Sequence, residues 1–102
     1  MSFEQPEPVG YTIYTKYNCL YCNKVKTLLK DVKPKPTIVQ CDEYLIEPST
    51  KEEFLSFIQS INGGIEYRSF PMVFYDGKFI GGFPETEKWY EKQTAFHFFT
   101  TK

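Results

Sequence analysis

Two cysteines three positions apart, Cys19 and Cys22, stand in the segment Lys16-Tyr17-Asn18-Cys19-Leu20-Tyr21-Cys22-Asn23-Lys24, with lysines at both ends. Thiols at this spacing can clip a metal, close a structural disulfide, or cycle between dithiol and disulfide. The flanking residues weigh these against one another. From Val9 to Thr15 the run VGYTIYT is β-branched and aromatic, as befits a strand entering a core. From Leu20 to Val32 the period changes: Tyr21, Val25, Leu28, Leu29 and Val32 recur at helical spacing, with Asn23, Lys24, Lys26, Lys30 and Asp31 mostly opposite. Cys19 therefore falls at a helix N-terminus, where unpaired N–H groups and the helix dipole favour a thiolate and draw its pKa well below the free value of about 8.5. Lys16 and Lys24 act in the same sense. Cys22, one turn further in, is expected to be more buried, more protonated and close enough to attack a mixed disulfide formed at Cys19. A Cys-x-x-Cys after a strand-to-helix junction with this asymmetry is a redox signature.

The rival chemistries lack partners. Cys19-x2-Cys22-x18-Cys41 begins like a zinc ribbon, but the residue three places after the third cysteine is Tyr44. His97 is the single imidazole and sits among phenylalanines, so no metal site is expected. Haem attachment needs a histidine after the second cysteine, and that residue is Asn23. Three cysteines do not make a disulfide framework, and Cys41, at a strand end, is expected to pack as a small hydrophobe.

The elements that must position the pair follow along the chain. Residues 1 to 8 carry two prolines and two glutamates without periodicity and are expected to be a frayed extension, with the domain occupying 9 to 102. The turn KPKP at 33 to 36 ends the first helix, and Thr37 to Cys41 reads as a second strand. Ser49-x-x-Glu52 and Thr50-x-x-Glu53 both fit a capping box ahead of the buried stripe Phe54, Phe57, Ile58 and Ile61, which Asn62-Gly63-Gly64 terminates. Pro71 precedes the hairpin Met72 to Ile80, turned at Asp76-Gly77. Pro84 suits the first turn of a last helix, with Glu85 and Glu87 at its positive end. The order βαβαββα implies an α/β fold, a four-stranded mixed sheet flanked by about three helices.

At 102 residues, of which 41% are hydrophobic and 19% aromatic, the chain can bury one core without a cofactor or staple. A formal charge of −1 supplies no field to gather nucleic acid or an anionic membrane, so neither is expected as a partner. The start MSFEQPEPVG lacks a basic and an apolar signal region, and no apolar run approaches the ~20 residues of a membrane span. A cytoplasmic, reducing location is the expectation.

Three separated segments resemble the glutaredoxins: TKYNCLYC (15 to 22) the family's active-site turn, YRSFP (67 to 71) its Thr-Val-Pro segment, and YDGKFIGG (75 to 82) its hairpin and Gly-Gly turn. The resemblance runs from Val9 to Trp89. It implies a thioredoxin-like fold and the reduction of protein disulfides and glutathione mixed disulfides, with glutathione as co-substrate and no tightly bound cofactor. On that resemblance Cys19 is the nucleophile and Cys22 the resolving thiol. The glutathione site it implies comprises Lys16, Tyr21, Arg68, Phe70, Pro71, Gly82, Phe83 and Glu85. In it Lys16 and Arg68 hold the glycyl carboxylate, and Phe70, before a cis Pro71, offers its backbone to the cysteinyl part.

Two departures from the family pattern stand beside the site. Leu20 replaces the usual proline after the nucleophile, leaving a freer turn and an apolar contact. Pro84 has no N–H to give the γ-glutamyl end, so the Phe83 N–H and the Glu85 carboxylate must do more. Two alternatives accompany the glutathione reading. One is a carrier of the same fold, reduced by a flavoprotein reductase and feeding ribonucleotide reductase. The other is an iron–sulfur binding module using Cys19 and glutathione as ligands, against which the retention of Cys22 argues. A monomer is expected.

Overall fold

The computed structural model describes residues 2–100, with side chains through Thr94. Strand β1 spans Tyr11–Thr15, helix α1 Leu20–Leu28, strand β2 Thr37–Gln40, helix α2 Pro48–Ile61, strands β3 and β4 Met72–Tyr75 and Lys78–Gly81, and helix α3 Phe83–Thr100. A short 3-10 turn, Asp42–Tyr44, follows β2. The sheet order is β2-β1-β3-β4, with β1 parallel to β2 and antiparallel to β3, and β3 antiparallel to β4. This is the mixed four-stranded sheet with three helices that the element order implied.

Alternation along β1 splits the core between the two faces. Tyr11 and Ile13 join Val25 and Leu29 of the α1 segment and Val73 on one face, with Trp89 and Tyr90 of α3 packed against them. Tyr14 joins Phe54, Leu55 and Ile58 of α2, with Met72, Phe74, Val39 and Cys41, on the other. All five residues of β1 are buried, as a central strand covered on both faces must be. β1 therefore cannot shift without disturbing both half-cores, and it delivers the chain directly to the cysteines.

Several local readings are revised. α1 stops at Leu28 rather than Val32. Lys30 and Val32 then donate to carbonyls three residues back, at 3.4 and 3.3 Å, so the chain leaves the helix in a turn before Pro34. Pro34 then lies against Gly10, where an added Cβ would come within 2.9 Å of its ring. α2 begins at Pro48 with Glu47 as its cap residue and no side-chain capping bond, so the Ser49 and Thr50 capping boxes do not form. A proline at the first helical position, with its fixed φ and missing N–H, starts the helix earlier. Residues 2–8 form no regular element, but Phe3 packs against Tyr44, Phe54 and Phe57 with ring centroids 4.9 to 5.4 Å apart. The Tyr14 hydroxyl donates to the Glu4 carbonyl at 2.6 Å and the Glu7 N–H to Thr12 Oγ1 at 2.8 Å. The packed part of the chain therefore begins at Phe3 and not at Val9.

The hairpin turn forms as read. Asp76 and Gly77 both adopt positive φ, and Asp76 ties the hairpin to the start of β1 by exchanging hydrogen bonds with Gly10 at 2.7 and 2.9 Å. No described helix is long and apolar enough to cross a membrane.

Candidate functional site

Cys19 is the N-cap of α1. It is reached through Asn18, whose φ of +52° lies in the left-handed region that asparagine tolerates. Its backbone is extended, and its Sγ accepts the Cys22 N–H at 3.2 Å, so one of the helix's orphan donors is satisfied by sulfur. Cys19 and Cys22 are joined as a disulfide, with Cα atoms 5.2 Å apart. The two sulfurs are unequal: Cys19 is 9% exposed and Cys22 is fully buried. Cys19 is thus the sulfur that a partner can reach.

Opposite Cys19 lies the turn before β3. The Phe70 carbonyl oxygen is 3.8 Å from Cys19 Sγ, and the Phe70–Pro71 peptide is cis, as the resemblance implied. The Phe70 ring stacks on Phe54 with a centroid distance of 6.3 Å, which anchors this turn to the α2 half-core. Lys16 Nζ lies over the same ring, 5.6 Å from its centroid. Lys16 therefore reaches across from the β1–α1 connection to the Pro71 turn.

On the other flank Tyr21 and Phe83 stack at 6.0 Å, and Lys24 Nζ sits 5.4 Å from the first ring and 5.7 Å from the second. Tyr17, Leu20 and Tyr21, close to Cys19 in the chain, are all more than half exposed. Leu20 stands exposed in the place where the family pattern usually has a proline.

Two residues named for carboxylate and amine recognition have partners within the chain. Arg68 forms a two-pronged ion pair with Glu52 at 2.9 and 3.3 Å, and this bonding and charge lower the Glu52 pKa and raise that of Arg68. Glu85 Oε1 accepts the Gly82 N–H at 2.9 Å, and Gly82 C=O accepts the Thr86 N–H at 3.0 Å. Glu85 thus acts as the reciprocal carboxylate of a helix start, reaching back to the residue that opens α3. Pro84 lies in the first turn of that helix, as expected.

Sequence reasoning missed two members of this region. Tyr67 points its hydroxyl at Gly82, where a Cβ would fall 2.5 Å from it, and its ring meets Phe79 edge-on at 5.0 Å. Burial, with the Glu85 charge as a second cause, raises the Tyr67 pKa. Asp42 accepts the Tyr17 N–H and lies at the end of β2. Tyr67 appears in the sequence only as one aromatic of YRSFP, and Asp42 as a loop acid, and neither spacing signals a role.

Cys41 is fully buried, its thiol pushed up to about 12 by burial and, next, by the Asp42 charge. It is a packing residue, as read. Among the described residues no three His, Cys, Asp or Glu side chains are placed to hold a metal ion. The side chain of His97 lies outside the described residues. A groove of about 990 Å³ between the β3–β4 hairpin and α3, lined by Tyr75, Phe79, Ile80 and Trp89 among others, includes neither cysteine. What the site can do chemically is thiol–disulfide exchange at Cys19, with Cys22 held behind it.

The family model described as Glutaredoxin matches residues 11–80, more than half of the chain. The chain is similar to Glutaredoxin-C4 of Arabidopsis thaliana, 30% identical over 79 residues that cover 78% of this chain and 53% of the relative. It is also similar to the mitochondrial glutaredoxin-2 of Pongo abelii, 32% identical over 76 residues, or 74% of this chain and 43% of that protein. The chain spans about half the length of these curated relatives. Among solved structures, the holo form of glutaredoxin C1 from Populus tremula x tremuloides matches with a TM-score of 0.64 and 26% identity, covering 86% of this chain and 80% of that one. A buckwheat glutaredoxin–glutathione complex shares the fold, with a TM-score of 0.62 and 23% identity over 82% of this chain and 70% of that one. With the family model running from β1 through the hairpin, and the cysteine pair at the head of α1, the chain belongs to the glutaredoxin family, with its thioredoxin-like fold.

Proposed function

We propose that the protein is a glutathione-dependent thiol–disulfide oxidoreductase of the cytoplasm, acting on protein disulfides and on glutathione mixed disulfides. The observation that carries this reading is the unequal pair: Cys19, the more accessible of the two at 9%, with Sγ at the α1 N-terminus 3.2 Å from the Cys22 N–H, and Cys22 fully buried. In the dithiol state the Cys19 thiolate attacks one sulfur of a protein disulfide, displacing the other as a thiolate that takes up a proton. Cys22 then attacks Cys19 Sγ, releasing the second substrate thiol and forming the Cys19–Cys22 disulfide. Two glutathione molecules, oxidised to one glutathione disulfide, restore the dithiol. For a glutathione mixed disulfide, Cys19 takes the glutathionyl sulfur and a second glutathione removes it, so Cys22 is dispensable.

Glutathione would lie along the Phe70–Pro71 turn, with its cysteinyl part against the Phe70 backbone and its glycyl carboxylate toward Lys16. Gly82, Phe83 and Tyr21 would border its other end. The buckwheat complex indicates that this fold can hold the tripeptide. One observation favours a second reading. Arg68 is engaged by Glu52, and one oxygen of Glu85 by Gly82, so two groups meant for glutathione have internal partners. A carrier reduced by a flavoprotein reductase, with ribonucleotide reductase as the recipient, would need neither.

The experiment is a coupled NADPH assay on the reduced full chain with two donors, glutathione plus glutathione reductase and thioredoxin reductase alone. Turnover with glutathione and none with the flavoprotein supports the first reading, the reverse result supports the second, and turnover with neither removes both.

A further inference from the structure

The connection from β1 to Cys19 is only three residues long, and it is tied to the end of β2 along its length. At the buried end, the Thr15 carbonyl accepts the Cys41 N–H at 2.9 Å and Thr15 Oγ1 donates to Gln40 Oε1 at 3.1 Å. Both Thr15 and Cys41 are fully buried, so this base moves only with the core. Gln40 Nε2 in turn donates to Asp42 Oδ2 at 2.5 Å. The Asp42 carboxylate then accepts the Tyr17 N–H with both oxygens, at 3.0 and 3.2 Å. Tyr17 itself has a solvent-exposed side chain, so its hold on the protein is through that N–H. Asn18 follows in the left-handed region, and Cys19 opens α1.

We propose that Asp42 is a positioning residue for Cys19: by holding the Tyr17 N–H, it keeps the 16–18 connection where Cys19 Sγ meets the Cys22 N–H at the head of α1. A thiolate is stabilised by an N–H only while the two stay aligned, and alignment here depends on a connection that has no regular structure of its own. The ladder Thr15–Gln40–Asp42–Tyr17 supplies the missing stiffness from the parallel β1–β2 pair. Hydrogen bonds from Gln40 and Tyr17 and the charge of Lys16, acting against desolvation, lower the Asp42 pKa, as expected of a carboxylate held ionised at its post.

Asp42 also carries a negative charge, and this separates two effects of opposite sign. The charge by itself disfavours a nearby thiolate, so removing it should make Cys19 more acidic. The positioning role favours the thiolate, so removing the acceptor should make Cys19 less acidic. The other ionisable groups beside Cys19 in the chain, Lys16, Lys24, Tyr21 and Cys22, are retained, and Lys16, whose charge acts on Asp42, is released when Asp42 is removed, which adds to the first effect.

The inference rests on the reading of Cys19 as the attacking thiol, and the test keeps the two apart. The rate of iodoacetamide alkylation of the reduced full chain is followed from pH 4 to 9, with Cys19→Ser identifying the reactive thiol. An acidic profile in the parent that Cys19→Ser abolishes is the precondition, and its absence counts against the proposed function rather than against Asp42. Given that profile, Asp42→Ala should slow alkylation at pH 6 by roughly three- to tenfold, the net size of one ordinary hydrogen bond weakened at the thiolate. Asp42→Asn keeps an acceptor without the charge and should be alkylated at least as fast as the parent, with the Tyr17 amide still protected from hydrogen exchange. Should the alanine variant not fold, Gln40→Leu, which removes the holder of the carboxylate, should slow alkylation in the same direction. Unchanged or faster alkylation in Asp42→Ala or Gln40→Leu, or alkylation in Asp42→Asn slowed as much as in Asp42→Ala, would overturn the proposal.

Discussion

Gly82→Ala probes how tightly the start of α3 is bound to the turn before β3. A Cβ at this position would lie 2.5 Å from Tyr67 Oη, 3.5 Å from Glu85 Oε1 and 3.6 Å from the Pro71 carbonyl. The first distance is far inside van der Waals contact, and Tyr67 cannot simply swing away because its ring is set edge-on to Phe79. Overpacking of this kind costs about 1 to 3 kcal/mol. For a domain near 100 residues each kcal/mol moves Tm by about 4 to 8 °C, so a fall of roughly 4 to 24 °C is expected. The cause is a single hydroxyl, and this makes the argument testable in a cycle. Tyr67→Phe alone should change stability by less than about 1 kcal/mol, whereas in the Gly82→Ala background it should recover at least half of the loss. The coupling energy between contacting residues is then about 0.5 kcal/mol or more. The assay is urea unfolding followed by far-ultraviolet circular dichroism, with all four proteins kept reduced so that the Cys19–Cys22 bond does not vary. If the double variant is as destabilised as the two singles summed, Tyr67 is not what Gly82 avoids, and the overpacking argument fails.

The thiols should divide their labour: Cys22→Ser retains much of the activity on a glutathione mixed disulfide but loses most of it on an intramolecular protein disulfide, and Cys19→Ser loses both in the coupled assay. Cys41 keeps its proton to about 12 in the fold, whereas an unfolded cysteine releases it near 8.5. Its stabilising contribution is thus complete below about pH 8.5 and declines as pH rises toward 12, by at most about 1.36 kcal/mol per unit. Cys41→Ala should flatten the fall of stability between pH 9 and 11 without abolishing it, because buried Tyr14 titrates in the same sense. Phe3→Ala should lower stability by about 1 to 3 kcal/mol through the lost contacts with Tyr44, Phe54 and Phe57 while leaving the alkylation profile of Cys19 unchanged. No loss of stability would mean that residues 2–8 do not cover the α2 half-core in solution.

What the sequence by itself determined is what short-range chemistry determines. The βα junction ahead of Cys19, the Asp76-Gly77 turn with two positive φ values and the stripe of Phe54 and Ile58 all follow from residue type and period over a few positions. Cys19 as N-cap, and Cys22 one turn in and buried, follow from the same local rule. Even so, local signals misled where two competed: Pro48 started α2 ahead of the Ser49 and Thr50 boxes because a proline at the first helical position needs no partner. Only the tertiary structure decided which groups face the sulfur. Phe70 comes to Cys19 from 51 positions away, Asp42 to Tyr17 from 25, and Tyr67 to Gly82 across two different turns. It also decided that Arg68 meets Glu52 on α2, and that one oxygen of Glu85 closes the start of its own helix. Charge and residue type mark such side chains as able to bind an anion or an amine. Whether they remain free to do so depends on what the sheet order and the packing of α2 and α3 bring beside them, and no spacing along the chain encodes that distance.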